Sequence, residues 1–175
     1  VRVLANESLN AKMDFEDVSI SLISNFPSAS IALEGLTIDG IDEFDGVRLI
    51  EMDSIGTTVD IMCLFGETIQ INTIDLSNGK IDVRVLRDGT ANYDIAKTTE
   101  DEEVIEAESS GDEGAFALQL QSYSLNNIDI YYDDRSLPMV ADIKRFTHTG
   151  SGDFTADRTL METVTSMESI DLEYD

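Results

Sequence analysis

The chain has 175 residues, enough for one domain with its own core, and its 42% apolar content is ordinary for a globular protein. Eleven Lys and Arg against 36 Asp and Glu leave a net charge of −25, which repels phosphate backbones and argues against nucleic acid as a partner. Cys63 is the only cysteine, so no intrachain disulfide forms, and within the apolar run 61–65 it reads as a small buried hydrophobe.

At the start, Val1, Leu4 and Ala5 recur at helical intervals, which predicts the last turns of a helix. From Met13 the period changes to two, with Val18, Ile20 and Leu22 on one face and Ser19 and Ser21 on the other. Phe26-Pro27 interrupts this ladder, because a residue before proline is pushed out of the helical region. Alternation returns at Ile31 and Leu33, at Ile55, Thr57 and Val59, at Ile69 and Ile71, and at Ile81, Val83 and Val85. It also slips by one residue, from Leu33 to Leu36 across Gly35 and from Ile71 to Ile74. A bulge restores the apolar side chains to one face and bends the strand, so the slips predict a strongly curved sheet; short strands joined by turns are the alternative. The apolar stretch 61–65 predicts one short internal helix. Asp88-Gly89 predicts a tight antiparallel hairpin between Leu86 and the segment 91–95, and Asn78-Gly79 gives a similar turn signal.

Residues 97–114 carry eight Asp and Glu with few apolar residues to bury, which predicts a flexible acidic linker. It separates a first β unit, 1–96, from a second, 115–175, within one β domain. In the second unit Phe116, Leu118 and Leu120 resume the alternation, Ile128 and Ile130 repeat it, and Ile170, Leu172 and Tyr174 carry it to the end, as if the unit continued. Ile69, Ile71 and Leu76-Ser77-Asn78 are echoed by Leu118, Leu120 and Leu125-Asn126-Asn127. The echo predicts a repeated β unit, with chance convergence of alternating strands as the other explanation.

The chain lacks the usual parts for catalysis. No Gly-x-Ser-x-Gly elbow, Cys-x-x-Cys pair or phosphate loop is present. His148 is isolated and reads as a turn or strand-edge residue. Carboxylates around Gly40 and Gly46 (Asp39, Asp42, Glu43, Asp45) fail the EF-hand spacing and read as a polar loop, as does Asp133-Asp134. With no Trp, a stacking platform for sugars is missing. Neither catalytic nor metal-binding residues are assigned, and no cofactor is expected.

The segment 23–31 with its Phe26-Pro27 turn, the stretch 59–74, and Asp88-Gly89-Thr90-Ala91-Asn92-Tyr93-Asp94-Ile95 together resemble the amino-terminal region of the AsmA family. Tyr131-Tyr132-Asp133-Asp134 and Thr147-His148-Thr149-Gly150 are similar to the next β unit of AsmA-like proteins of Bacteroidetes type. The resemblance implies a non-catalytic Gram-negative envelope protein, periplasmic and held at the inner membrane by a helix upstream of Val1. It further implies an open groove of β repeats that binds or passes phospholipid and supports outer-membrane assembly, with other envelope proteins as possible partners.

The residues to carry such a role are those of the apolar sheet face: Ile31, Leu33, Ile69, Ile71, Ile81, Val83, Leu118 and Leu120. Little predicted helix is available to cover them, so a second sheet or a bound acyl chain must. The expected fold is mainly β, a strongly curved antiparallel sheet forming an open groove or half-barrel. The rival is a closed β-sandwich acting as an interaction or adhesin module, with the same side chains sealed in its core.

Overall fold

The computed structural model describes residues 9–22, 28–60, 71–96, 120–152 and 160–174. The expected N-terminal helix, the short helix at 61–65 and the acidic segment 97–114 therefore lie outside the described residues. Within them the chain is almost entirely β. Nine strands, β1 (Lys12–Asp14), β2 (Asp17–Ser21), β3 (Ser28–Asp39), β4 (Arg48–Asp60), β5 (Ile71–Val85), β6 (Ser122–Asp134), β7 (Met139–Ser151), β8 (Glu162–Ser166) and β9 (Ser169–Tyr174), form one open, curved sheet. The long strands run in the order β3-β4-β5-β6-β7. At one edge β1 and β2 both pair with β3, and at the other β8 and β9 both pair with β7.

Every seam is antiparallel except β5·β6, which is parallel, so the sheet is mixed. In that seam Leu76 stands opposite Leu125, Ser77 opposite Asn126 and Ile81 opposite Ile130. The echo in the sequence is thus two strands laid side by side in the same direction. A parallel pair needs a long crossover connection.

A line of left-handed backbone crosses the sheet. Gly35 in β3 (φ 63°), Asn78 in β5 (φ 51°), Asn127 in β6 (φ 57°) and Arg145 in β7 (φ 47°) all have positive φ. Glycine and asparagine enter this region at least cost. Asn127 Nδ2 donates to Asn78 Oδ1 at 2.8 Å, tying two of these residues across the parallel seam. The edge strands break at the same level. Glu16, between β1 and β2, donates its amide to the Glu34 carbonyl beside Gly35, and Glu168, between β8 and β9, donates its amide to the Lys144 carbonyl beside Arg145. The Glu168 carboxylate also meets Arg145 Nε at 2.6 Å. This crease is what the phase slip at Leu33–Leu36 marks: the pairing of β3 with β4 keeps its register across it while the face presented to either side changes phase. The slip at Ile71 is a bulge, since the β4·β5 register shifts between Thr58 and Val59.

Three local expectations are corrected. Asn78-Gly79 is no turn, because β5 runs through it from Ile71 to Val85 and the left-handed Asn78 serves the crease. His148 lies inside β7 between β6 and β8, at neither a turn nor an edge. Asp133-Asp134 is no loop but the end of β6. The polar loop at Asp39–Asp45, by contrast, forms as expected, around a 3-10 turn, Asp42–Phe44, that buries Phe44, while Asp39 takes two hydrogen bonds from Arg48 and Asp45 meets Lys12 at 3.1 Å.

The Asp88-Gly89 turn forms as expected, with Gly89 at φ 90° and the Leu86 amide donating to the Thr90 carbonyl. The returning segment makes only an isolated bridge, Val85 to Ala91, rather than a strand. Asn92 completes the pairing with its side chain. Its Oδ1 accepts from the Arg84 amide at 2.9 Å, its Nδ2 donates to the Asp82 carbonyl at 2.7 Å, and its amide donates to the Arg84 carbonyl. An open edge of β5 is thereby satisfied without a tenth strand.

Candidate functional site

Residues paired across a ladder point to the same side of a sheet. Following the register from edge to edge gives a series of apolar rows. One contains Val18, Leu33, Ile55, Leu76, Leu125 and His148. The next, on the other side of the crease, contains Leu36, Met52, Gly79, Ile128 and Phe146. A third contains Met13, Ile38, Ile50, Ile81, Ile130, Ile143 and Ile170. All three rows share a face, because Leu33, Ile55, Leu76 and Leu125 pack against the same cluster as Leu36, Ile38, Met52, Ile81, Ile128 and Ile130. Without the crease, the period of two would send Leu36 and Met52 to the face opposite Leu33 and Ile55.

The opposite face is polar. Its rows pair Glu34 with Ser54, Thr37 with Glu51, and Tyr131 with Asp142. Ion pairs lie along it, with Arg84 to Asp82 and Lys144 to Asp142 both at 2.8 Å. Their side chains are a third or more open to water on the cationic side, so each contributes little to stability. The Asp82 carboxylate holds the Arg84 guanidinium pKa above its usual value by hydrogen bonding, and Asp142 does the same for the Lys144 ammonium.

Of the sequence-predicted face residues, Leu33, Ile81 and Val83 are half-buried and pack against the central cluster. Ile31 is half-buried in the row above Leu33, opposite Thr57. Ile71 is half-buried opposite the buried Val59. Leu120 is half-buried just before β6, and Ile69 and Leu118 lie outside the described residues. The candidate set passed over Ile50, Met52, Leu76, Leu125, Ile128 and Ile130, which form the middle of the rows. The Leu125–Ile128 slip, matching Leu33–Leu36, was the signal that could have found them.

Cover over this face is partial. Ala11 joins the buried cluster, and Leu9, Met13, Phe15 and Ile95 pack against it, with the Asn10 amide bound to the Ile95 carbonyl. Among the described residues Met52 and Ile128 are the largest side chains that are wholly enclosed. Met52 owes this to Gly79, since a Cβ there would run into Met52 Sδ and the Glu51 carbonyl oxygen. Toward the edges the rows open to water: Ile20 is 66% exposed at β2, and Leu172 and Tyr174 are 64% and 77% exposed at β9. All nine strands belong to the one sheet, so no second sheet stacks on the face among the described residues.

Near the β8 edge, His148 bridges hydroxyls, with Nε2 at 2.8 Å from the Tyr123 hydroxyl and Nδ1 at 2.7 Å from Thr165 Oγ1. Phe146 stacks on its ring. Both ring nitrogens are thus engaged, and the imidazole serves as a strand-to-strand brace. Asp134 is equally occupied. Its Oδ1 accepts from the Ser136 hydroxyl and from the amides of Ser136 and Leu137, and its Oδ2 accepts from the Tyr132 hydroxyl. These bonds, Ser136 foremost, hold its carboxyl below the usual carboxylate range. Asp134 therefore ends β6 and shapes the turn into β7.

The arrangement has a two-sided character that suits adsorption of an apolar ligand: one acidic, solvated face and one apolar face with incomplete cover. No helix among the described residues is long and apolar enough to cross a membrane. No curated protein sequence and no solved structure matches the chain. The model of the AsmA family matches residues 1–153, nearly the whole chain. Taken with the open β sheet, this match establishes that the chain belongs to the AsmA family, a family associated with cell-envelope and lipid-transport roles.

Proposed function

We propose that the apolar face binds acyl chains and that the protein holds or passes phospholipid without chemically altering it. In this reading it works in the periplasm of a Gram-negative cell, is held at the inner membrane by a helix preceding Val1, and supports outer-membrane assembly alongside other envelope proteins. The observation that carries the reading is the set of apolar rows running across the sheet on one face, with no second sheet stacked on them among the described residues. Each methylene moved from water onto such a surface gains up to about 0.8 kcal/mol, so a tail needs no specific polar contact to be retained. A continuous row also lets it slide without meeting water.

Ile71 and Val83 are the residues to test, because both are half-buried on the face and neither belongs to its wholly enclosed centre. The measurement is mass spectrometry of lipid extracted from the purified protein. Ile71→Asp and Val83→Asp are expected to lose co-purifying phospholipid while keeping the β circular-dichroism signature. A folded variant with undiminished lipid overturns the proposal. Wild-type protein that never carries lipid favours an interaction or adhesin module instead.

A further inference from the structure

At the ends of β6, β7 and β9 the two faces of the sheet meet around a cavity of about 340 Å³. Met139 and Tyr174 enter it from the apolar face, in the row Val85–Asp134–Met139–Tyr174 that closes the apolar series. Asp133 and Glu173 enter it from the polar rows, and Arg87 and Arg135 complete the charged part of the lining. Asp134 is saturated by the hydrogen bonds described above, and Arg135 is taken up by Asp133 at 3.3 Å. Arg87 and Glu173 remain. Among the described residues neither has an ion-pair partner, so the cavity offers one uncommitted guanidinium and one uncommitted carboxylate beside an apolar wall.

We infer that this cavity receives the headgroup of a zwitterionic phospholipid, with Arg87 on the phosphate, Glu173 on the ammonium, and the tail leaving past Tyr174 and Leu172 onto the apolar face. The inference rests on the acyl-binding reading and adds the class of headgroup to it. A guanidinium suits phosphate because it donates in a planar fork, and a carboxylate favours a primary ammonium that donates hydrogen bonds back to it. An anionic headgroup with no ammonium would leave Glu173 without a cationic partner and add a net negative charge to a chain already carrying −25. The volume, near the lower bound of about 300 Å³ for small-ligand pockets, admits a headgroup but no second tail.

The test loads the purified chain from vesicles holding equal amounts of phosphatidylethanolamine and phosphatidylglycerol, then quantifies lipid on the re-isolated protein by mass spectrometry. Wild type is expected to carry several-fold more phosphatidylethanolamine. Glu173→Gln brings the ratio toward one without lowering bound phosphatidylglycerol. Arg87→Ala lowers both lipids by roughly tenfold or more, the scale of one charge-assisted hydrogen bond. Both positions are exposed, so the variants keep the fold. Free phosphoethanolamine at the lipid concentration should displace nothing; if it displaces the lipid, the site serves a soluble phosphate compound and the assignment falls. If Val83→Asp strips lipid while Arg87→Ala and Glu173→Gln leave amount and ratio unchanged, the headgroup site is refuted and the acyl face stands. If no variant or wild type binds lipid, both fall together.

Discussion

The centre of the sheet and its β9 edge are built from the same kind of side chain in the same rows, yet they end in different environments. Ile38 and Ile170 belong to one cross-strand row, but Ile38 is 8% exposed and Ile170 is 48% exposed. Ile38 sits in β3 with β4 on one side and β1 on the other, inside the buried cluster that Ala11 and Leu49 join; among the described residues β9 pairs with β7 alone. Apolar alternation therefore specifies which face a residue joins, and coverage decides whether that residue is core or contact surface.

The sharpest way to break this comparison is to remove a side chain at the centre. Ile128→Ala, at a position with no exposure, should cost about 2–5 kcal/mol in urea unfolding, the range for emptying a buried aliphatic site. A smaller cost would mean that the centre is as loosely packed as the edge. Gly79→Ala tests the same spot from the opposite direction. Its Cβ would meet Met52 Sδ, which can move, and the Glu51 carbonyl, which cannot easily, so a loss of about 1–3 kcal/mol is expected.

Asn92→Ala removes the amide that stands in for a strand beside Arg84. Leaving the Arg84 amide and the Asp82 carbonyl without that partner should cost about 1–3 kcal/mol, with faster amide exchange at Arg84. Asp134→Asn sharpens the account of the β6–β7 turn through pH. The folded-state pKa of Asp134 is lowered, so its contribution is complete above the unfolded value of about 3.9 and fades as pH falls through the folded value. The stability gap between wild type and Asp134→Asn should therefore be widest near neutrality and narrow below about pH 4. Leu172→Ala closes the series. At 64% exposure it should change stability by less than about 0.5 kcal/mol, and a larger loss would show that the edge is covered in solution.

Much of this fold was legible in the sequence because alternation is a local signal. The strands containing Ile31, Ile55, Ile71, Ile81 and Ile130 lie where period two places them, and the slip at Gly35 marks a real change of phase. Asn78-Gly79 misled because the dipeptide has the chemistry of a hairpin turn, and only pairing on both sides, with β4 and with β6, keeps the strand running through it. The direction of β6 beside β5 was equally hidden, since an echo in sequence does not say whether its copies lie side by side. β7 escaped notice because Ala141 and Ile143 fall out of phase with Phe146 and His148 across the left-handed Arg145. Arg87 and Glu173 gave no signal either, lying 86 residues apart in a chain rich in charge.

The row from Met13 to Ile170 crosses seven strands. Six inter-strand steps make it about 29 Å long. The oily interior of a bilayer is about 30 Å thick, and each leaflet supplies half of that. In the proposed role, a tail drawn out of one leaflet would find on this sheet a track longer than the depth it has left, and its tip would come to rest before the track ends.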